Sequence, residues 1–343
     1  SGGVINPIST YPYPDFKPER TKSYEVGINA RFLNGRISFD GTFYQSNTYN
    51  QTFLSVMSPA TGYSGFYVQA GNVRNRGVEM TLGYNDTFGK VNYSTHLTYT
   101  ANQNKIVEMV HDYRNPIDNS LVNITELTLK EAGDVYLREG YSMSDVFTTG
   151  ILQRGRDGKL VEEGNGYQVD RSQRIRLGSA DPDFTMGWRH DINYKNISLG
   201  LMITGRFGGI VTSQTQAFMD AFGVSKVSAE ARDNGGVMLD GHRYDAERYY
   251  NTVGGQGLMS YYTYDATNVR LQELSLTYSL PKKWLGDVFN NATISFVGRN
   301  LFMFYRKAPF DPDMNGSTGT YNRSDFFMAP SLRNLGFSIK FSL

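Results

Sequence analysis

The segment SLRNLGFSIKFSL, residues 331–343, sets Leu335, Phe337, Ile339, Phe341 and Leu343 on one parity and Asn334, Gly336, Ser338, Lys340 and Ser342 on the other. A period of two sends successive side chains to opposite faces of an extended strand. The pattern recurs along the chain. Tyr24, Val26, Ile28, Ala30 and Phe32 alternate with Glu25, Gly27, Asn29 and Arg31; after Asn34–Gly35, Ile37, Phe39, Gly41 and Phe43 alternate with polar residues. Val78, Met80, Leu82 and Tyr84 repeat it, as do Val91, Tyr93, Leu97 and Tyr99. So do Phe184–Tyr194, Ile197–Ile203, and Ile294 with Phe296. In 267–280 the apolar parity moves by one residue between Leu271 and Leu274, which predicts a β-bulge near Gln272–Glu273. Short links at 34–35, 85–90, 195–196 and 281–291 alternate strictly with long polar links at 52–70, 103–183, 212–263 and 304–330. An up-and-down meander with tight turns on one rim and long loops on the other has this rhythm. Inside the longest link, Asp157–Gly158 reads as a hairpin tip that extends the wall.

No run of about 18 apolar residues is present, so no transmembrane helix is predicted, whereas a barrel strand needs only about 10 alternating residues. Only 39% of the residues are hydrophobic, against 36 Gly, 24 Tyr and 21 Phe, a composition for strands and turns. A soluble sandwich also alternates. Three features point instead to a wall between lipid and water. The strands exceed the usual length of about 5–6 residues. Charges sit in mid-strand on the polar parity throughout: Glu25, Arg31, Asp40, Glu79, Arg189, Asp191, Arg206, Arg270 and Arg299. Aromatic residues gather near strand ends (Tyr44, Tyr49, Phe53, Phe66, Tyr67, Tyr261, Tyr262, Tyr264, Phe302, Phe304 and Tyr305), as interfacial girdles require. Hydrocarbon cannot satisfy open backbone groups, so the sheet must close on itself. Counting back from a periplasmic C-terminus gives about nine strands from Tyr24. That odd number fits part of a larger barrel. The opening SGGVINPIST has neither Met nor an apolar leader, which reads as the interior of a longer polypeptide or a processed product. The expected fold is an all-β, antiparallel, up-and-down transmembrane β-barrel portion of about 9–11 strands with long extracellular loops.

The absence of Cys excludes disulfides and thiolate chemistry, and a net charge of +1 argues against nucleic acid. His96, His111, His190 and His242 have no metal-ligand spacing, and no nucleophile-elbow or zinc motif occurs, so the chain reads as a non-enzyme without a cofactor. DPDMNG at 311–316 offers half of a calcium loop in Asp311, Asp313 and Asn315, with Asn322 where a bidentate Glu is expected; a turn-rich surface loop is the plainer reading. Loop aromatics can stack on sugar faces or peptide side chains. Tyr63, Phe66, Tyr67, Tyr261, Tyr262 and Tyr321 are the candidate ligand-binding residues, with lipid-facing girdle positions as the competing role.

ERTKSYEVGINARFLNGRISFDGTFYQ, AGNVRNRGVEMTLGYN, DPDFTMGWRHDINYKNISLG, NVRLQELSLTYSLP and GRNLFMF with its following FDPDM resemble, in order, motifs of the SusC/RagA-type TonB-dependent outer-membrane transporters. The resemblance covers nearly the whole chain and corresponds to the C-terminal part of the barrel domain in that family. It implies a barrel of roughly 22 strands, with a plug and an N-terminal extension outside residues 1–343. It further implies TonB-energised import of an oligomeric nutrient, glycan or peptide, across the outer membrane of a Gram-negative bacterium. The implied partners are a SusD-like surface lipoprotein, the TonB–ExbB–ExbD complex through the N-terminal part, and outer-membrane lipid. The final Leu343 departs from the terminal aromatic often found in such barrels, and Phe341 is the substitute. A passive porin or structural barrel is the alternative, and a soluble adhesive β-protein a third class.

Overall fold

The computed structural model describes residues 10–11, 16–56, 60, 62–114, 120–129, 135–285, 289–313 and 324–342. Nine strands form one antiparallel sheet in sequence order: β1 (Arg20–Phe32), β2 (Ile37–Tyr49), β3 (Asn72–Phe88), β4 (Val91–Glu108), β5 (Phe184–Tyr194), β6 (Ile197–Phe207), β7 (Asn268–Ser279), β8 (Asn291–Arg306) and β9 (Asn334–Ser342). Among the described residues the sheet is open, with β1 and β9 at its edges.

The register fuses nine separate alternations into two continuous faces. Phe39 lies opposite Ala30 and Leu82, Leu82 opposite Leu97, Leu97 opposite Trp188, and Trp188 opposite Ile203. Leu199 meets Leu276, Leu276 meets Phe296, and Phe296 meets Phe337. Residues directly opposite in a ladder share a face. The polar parity matches in the same way: Asp40 opposite Thr81, His96 opposite Arg189, Thr204 opposite Arg270, and Glu273 opposite Arg299. A one-residue slip in any strand would move its whole apolar set into the bore. The predicted bulge is present. Leu271 and Glu273 face Ile203 and Met202, so Gln272 has no partner on β6, and Leu271 and Glu273 face Phe302 and Arg299 on β8.

β3 and β4 run longer than the alternation suggests, at 17 and 18 residues. Asn85–Phe88, expected in a turn, belong to β3, and the turn shrinks to Gly89–Lys90. At the other end, Gln103–Lys105 continue to pair with Arg74–Arg76, so the long link starts after Glu108. Above the membrane both faces are wet, so the alternation fades while the ladder continues.

The long links fold rather than drape. Asp157–Gly158 does sit at a tip, closed by the Arg154–Leu160 bridge with Gly158 at φ +79°. The ribbon Asp145–Leu152 with Val169–Ser179 forms a sheet of its own instead of adding to the wall. The link after β6 contains three α-helices that the strand-periodic reading does not anticipate: α1 (Gln214–Ala221), α2 (Lys226–Asp233) and α3 (Ala246–Val253). Ser213, Ser225 and Asp245 cap them by accepting N–H groups of Gln216, Ser228 and Arg248. α3 turns Tyr249, Tyr250 and Val253 inward onto Leu152, Leu160, Tyr167 and Leu258, so two links share one core. A second core joins Phe53 and Val68 of the 51–70 hairpin to Ile106, Met109, Leu127 and Leu137. Leu258 is fully buried. Leu258→Ala should cost about 2–5 kcal/mol of local stability. Limited proteolysis should then cut near 153–168 and 254–258, while the heat-modifiable mobility of the barrel stays unchanged.

Candidate functional site

The bore face carries a charge ladder at mid-wall. Arg189 Nε bonds Asp191 Oδ2 at 2.8 Å and its Nη1 lies 3.8 Å from Glu273 Oε1, while Arg299 Nε bonds Glu273 Oε2 at 3.0 Å. These groups come from β5, β7 and β8, and alternating charge keeps a hydrated wall wet without a field of one sign. Small residues make room on this face. A Cβ at Gly77 would come within 2.5 Å of the Tyr44 hydroxyl, which crosses the wall to donate to Asn102 Oδ1 at 3.1 Å. Tyr44, expected in a lipid-facing girdle, therefore belongs to the bore.

Above the ladder lies a cavity of about 500 Å³ between the top of β4 and the 109–183 link. Asn102, Tyr141, Arg176, Asp181 and Asp183 line it. Asp145 is buried at its base and holds Arg176 Nη2 at 2.7 Å. Asp181 Oδ2 accepts from the Ser144 hydroxyl at 2.5 Å. A second polar cavity of about 430 Å³ shares Arg176, Asp181 and Asp183 and reaches Gly208 and Asp265. The chemistry is mixed in sign, with amides and a phenol between a guanidinium and carboxylates. It suits hydrogen bonding to hydroxyls, amides or charged termini.

The candidate ligand residues separate into two groups. Phe66 packs against the Phe53–Leu137 core, Tyr67 meets Phe16 edge-on at 5.5 Å, and Tyr63 meets Tyr11 at 5.2 Å. Tyr261 and Tyr262 belong to the other loop core. The Tyr261 hydroxyl accepts the Leu152 N–H at 3.0 Å, and Tyr262 is 2% exposed, so both are used in holding loops together. Burial, with Asp220 nearby, raises the Tyr262 phenol above its ordinary value and pushes Tyr264 up to about 12, so both stay neutral. Phe53 and Tyr264 are likewise loop-core residues rather than girdle residues. Phe302, Phe304 and Tyr305 remain exposed on the part of β8 that still pairs with β7 but runs past the end of β9. Tyr321 and Asn315 lie outside the described residues.

Asp311 and Asp313 do converge, but on a guanidinium. Arg270 Nη2 lies 3.0 Å from Asp311 Oδ1 and 2.6 Å from Asp313 Oδ2. Arg206 Nη1 stands 3.9 Å from Asp313. The two carboxylates proposed for calcium are thus neutralised by cations of the wall. Asp311 also accepts from Ser331, and Asn300 accepts from Arg270 and donates to Ser331 Oγ, so the link after β8 is tied to the bulge. No sequence motif announces this tie or the Asp145–Arg176 pair, whose members are 41 and 31 residues apart. For Asp145 and Arg176 the one available signal is a charge without an assigned role, whereas Arg270 reads as an ordinary bore-face charge.

The family described as TonB dependent receptor-like, beta-barrel matches residues 2–204. The chain belongs to that family. It is a segment of outer-membrane β-barrel from a Gram-negative bacterium. TonB-dependent receptor P3 of Formosa agariphila is 25% identical over 364 residues, covering 99% of this chain and 36% of that protein. TonB-dependent receptor SusC of Bacteroides thetaiotaomicron is 22% identical over 385 residues, covering 98% and 35%. The chain therefore spans about a third of the length of the curated relatives it matches. Among solved structures, the RagAB peptide importer in its open-open state superposes with a TM-score of 0.67 at 18% identity, over 98% of this chain and 36% of that one. At that identity the likeness concerns the fold: the nine-stranded TonB-receptor wall and its folded loops.

Proposed function

We propose that residues 1–343 form the C-terminal wall of a TonB-energised barrel that imports an oligomeric nutrient, glycan or peptide, with a SusD-like lipoprotein over its loops. TonB–ExbB–ExbD would act through plug and N-terminal segments outside this region. One observation carries the reading: a register-locked sheet with one apolar and one charged face, whose two edge strands each lack a neighbour among the described residues. An unpaired backbone group in hydrocarbon costs several kcal/mol, so further strands must close the sheet around a wide wet bore. Family membership and the names of the relatives support the energised reading. The mixed polar cavities suit a hydrogen-bonding oligomer. Tyr63 and Tyr67, half-buried at the loop surface, are the aromatic contacts we assign to it.

The test is uptake of a fluorescent oligopeptide and of a fluorescent oligosaccharide by cells expressing the full-length protein, with and without an uncoupler. Saturable uptake of one of them, abolished by the uncoupler, is expected. Tyr67→Ala should weaken half-saturation by about 2–10-fold. Uptake indifferent to the uncoupler would instead identify a passive pore.

A further inference from the structure

Every short turn of the wall carries a base. Arg36 closes the first, Lys90 the second, Lys195 the third, and Lys282 with Lys283 the fourth. The only acid in these four turns is Asp287, whereas the two longest links carry more Asp and Glu than Lys and Arg. The bases are exposed. Arg36 has Asp86 at 3.4 Å, and Lys195 lies over the Tyr194 ring at 5.2 Å. Lys90, Lys282 and Lys283 enter no salt bridge among the described residues.

Each base is accompanied by an exposed apolar side chain on the lipid-facing parity or in the turn itself: Phe32 and Leu33 beside Arg36, Phe88 beside Lys90, Tyr194 and Ile197 around Lys195, and Trp284 after Lys283. The cations therefore stand at the edge of the apolar band, spread over all four short turns of this segment and not gathered in one patch. We propose that this periplasmic rim binds anionic phospholipid headgroups of the inner leaflet, each turn pairing a cation for the phosphate with an apolar side chain among the upper acyl carbons. Lipids can satisfy a distributed ring of such pairs, because each molecule engages one turn. A soluble periplasmic protein would need a continuous patch. Attraction of basic side chains to an anionic leaflet is cumulative and screened by salt.

The full-length protein, reconstituted in phosphatidylcholine vesicles with trace spin-labelled phosphatidylglycerol or phosphatidylcholine, measures the effect as the ratio of motionally restricted lipid. We expect a ratio favouring phosphatidylglycerol by roughly threefold to fivefold at low salt, falling toward one in high salt. The combined Lys90→Gln, Lys282→Gln and Lys283→Gln variant, which removes three bases without a salt bridge among the described residues, should bring the ratio markedly closer to one with unchanged heat-modifiable mobility. A wild-type ratio of one overturns the proposal. So does a ratio that survives the three substitutions in a folded barrel, or a variant that loses a co-purifying periplasmic protein while keeping its lipid preference.

Discussion

Leu276→Arg abolishes barrel assembly, and Ser275→Arg, one residue away, is tolerated: that is the expected result for two adjacent positions on opposite faces of β7. Leu276 is 48% exposed on the apolar side, between Leu199 and Phe296. Ser275 lies opposite Gly200 and Val297 on the bore side, in the neighbourhood of Glu273. A guanidinium on the lipid face near mid-membrane costs about 2–4 kcal/mol, and a lumenal one close to nothing. The readout is the heat-modifiable band of the full-length protein in outer-membrane fractions. The band should be lost for Leu276→Arg and kept for Ser275→Arg. Nitroxides should agree, with Leu201 and Leu276 reporting lipid and Ser275 reporting water. Gly200 is a poor labelling site, since a Cβ there would sit 2.5 Å from the Ser275 hydroxyl. Equal behaviour of the two variants would remove the two-faced wall and everything built on it.

Arg270→Met should release the link between β8 and β9. The Arg270 side chain is 6% exposed and Asp311's 10%, with Asp313 and Asn300 completing the contacts. Removing one member of a buried pair leaves an uncompensated charge, at a cost of about 3–5 kcal/mol. Amide exchange in 307–313 and 324–325 should accelerate by about 100-fold or more, with strands β3–β6 unaffected. Acid should mimic the substitution. Burial pushes the Asp311 carboxyl up, but hydrogen bonds from Ser331 and the Asp313 N–H, together with Arg270, outweigh it and hold the group below its ordinary 3.8. A depressed folded value contributes stability that is in full force above 3.8 and is lost as pH falls through that lower value. Exchange in 307–313 should therefore stay slow through the range where ordinary aspartates titrate and rise only below it. Release at mildly acidic pH would show that the tie is not ionic.

Strand number, strand order and the side each residue faces were legible in the residues themselves. A lipid wall demands apolar side chains at every second position, and that demand is local, so Leu199, Leu276 and Phe296 declare their face without knowledge of their neighbours. Even the bulge at Gln272 shows as a change of parity, because an inserted residue must flip the pattern. The links obey no such local demand. Tyr44, Phe53, Tyr261 and Tyr262 have the composition of girdle residues, yet Tyr44 lies along the bore face of the wall and the other three fill loop cores, because an aromatic ring serves equally at an interface, over a polar wall or inside a core. The helices in 214–253 were hidden by their polarity, and their inward faces exist only once the 145–179 ribbon supplies the other half of the core. Asp311 and Asp313 fall in half of a calcium-like motif, and only the folded sheet shows that both carboxylates pair with Arg270, 41 residues before Asp311. Periodicity imposed by the membrane is written into the chain residue by residue; which distant loops meet, and which charges they neutralise, is decided only when the sheet brings their roots together.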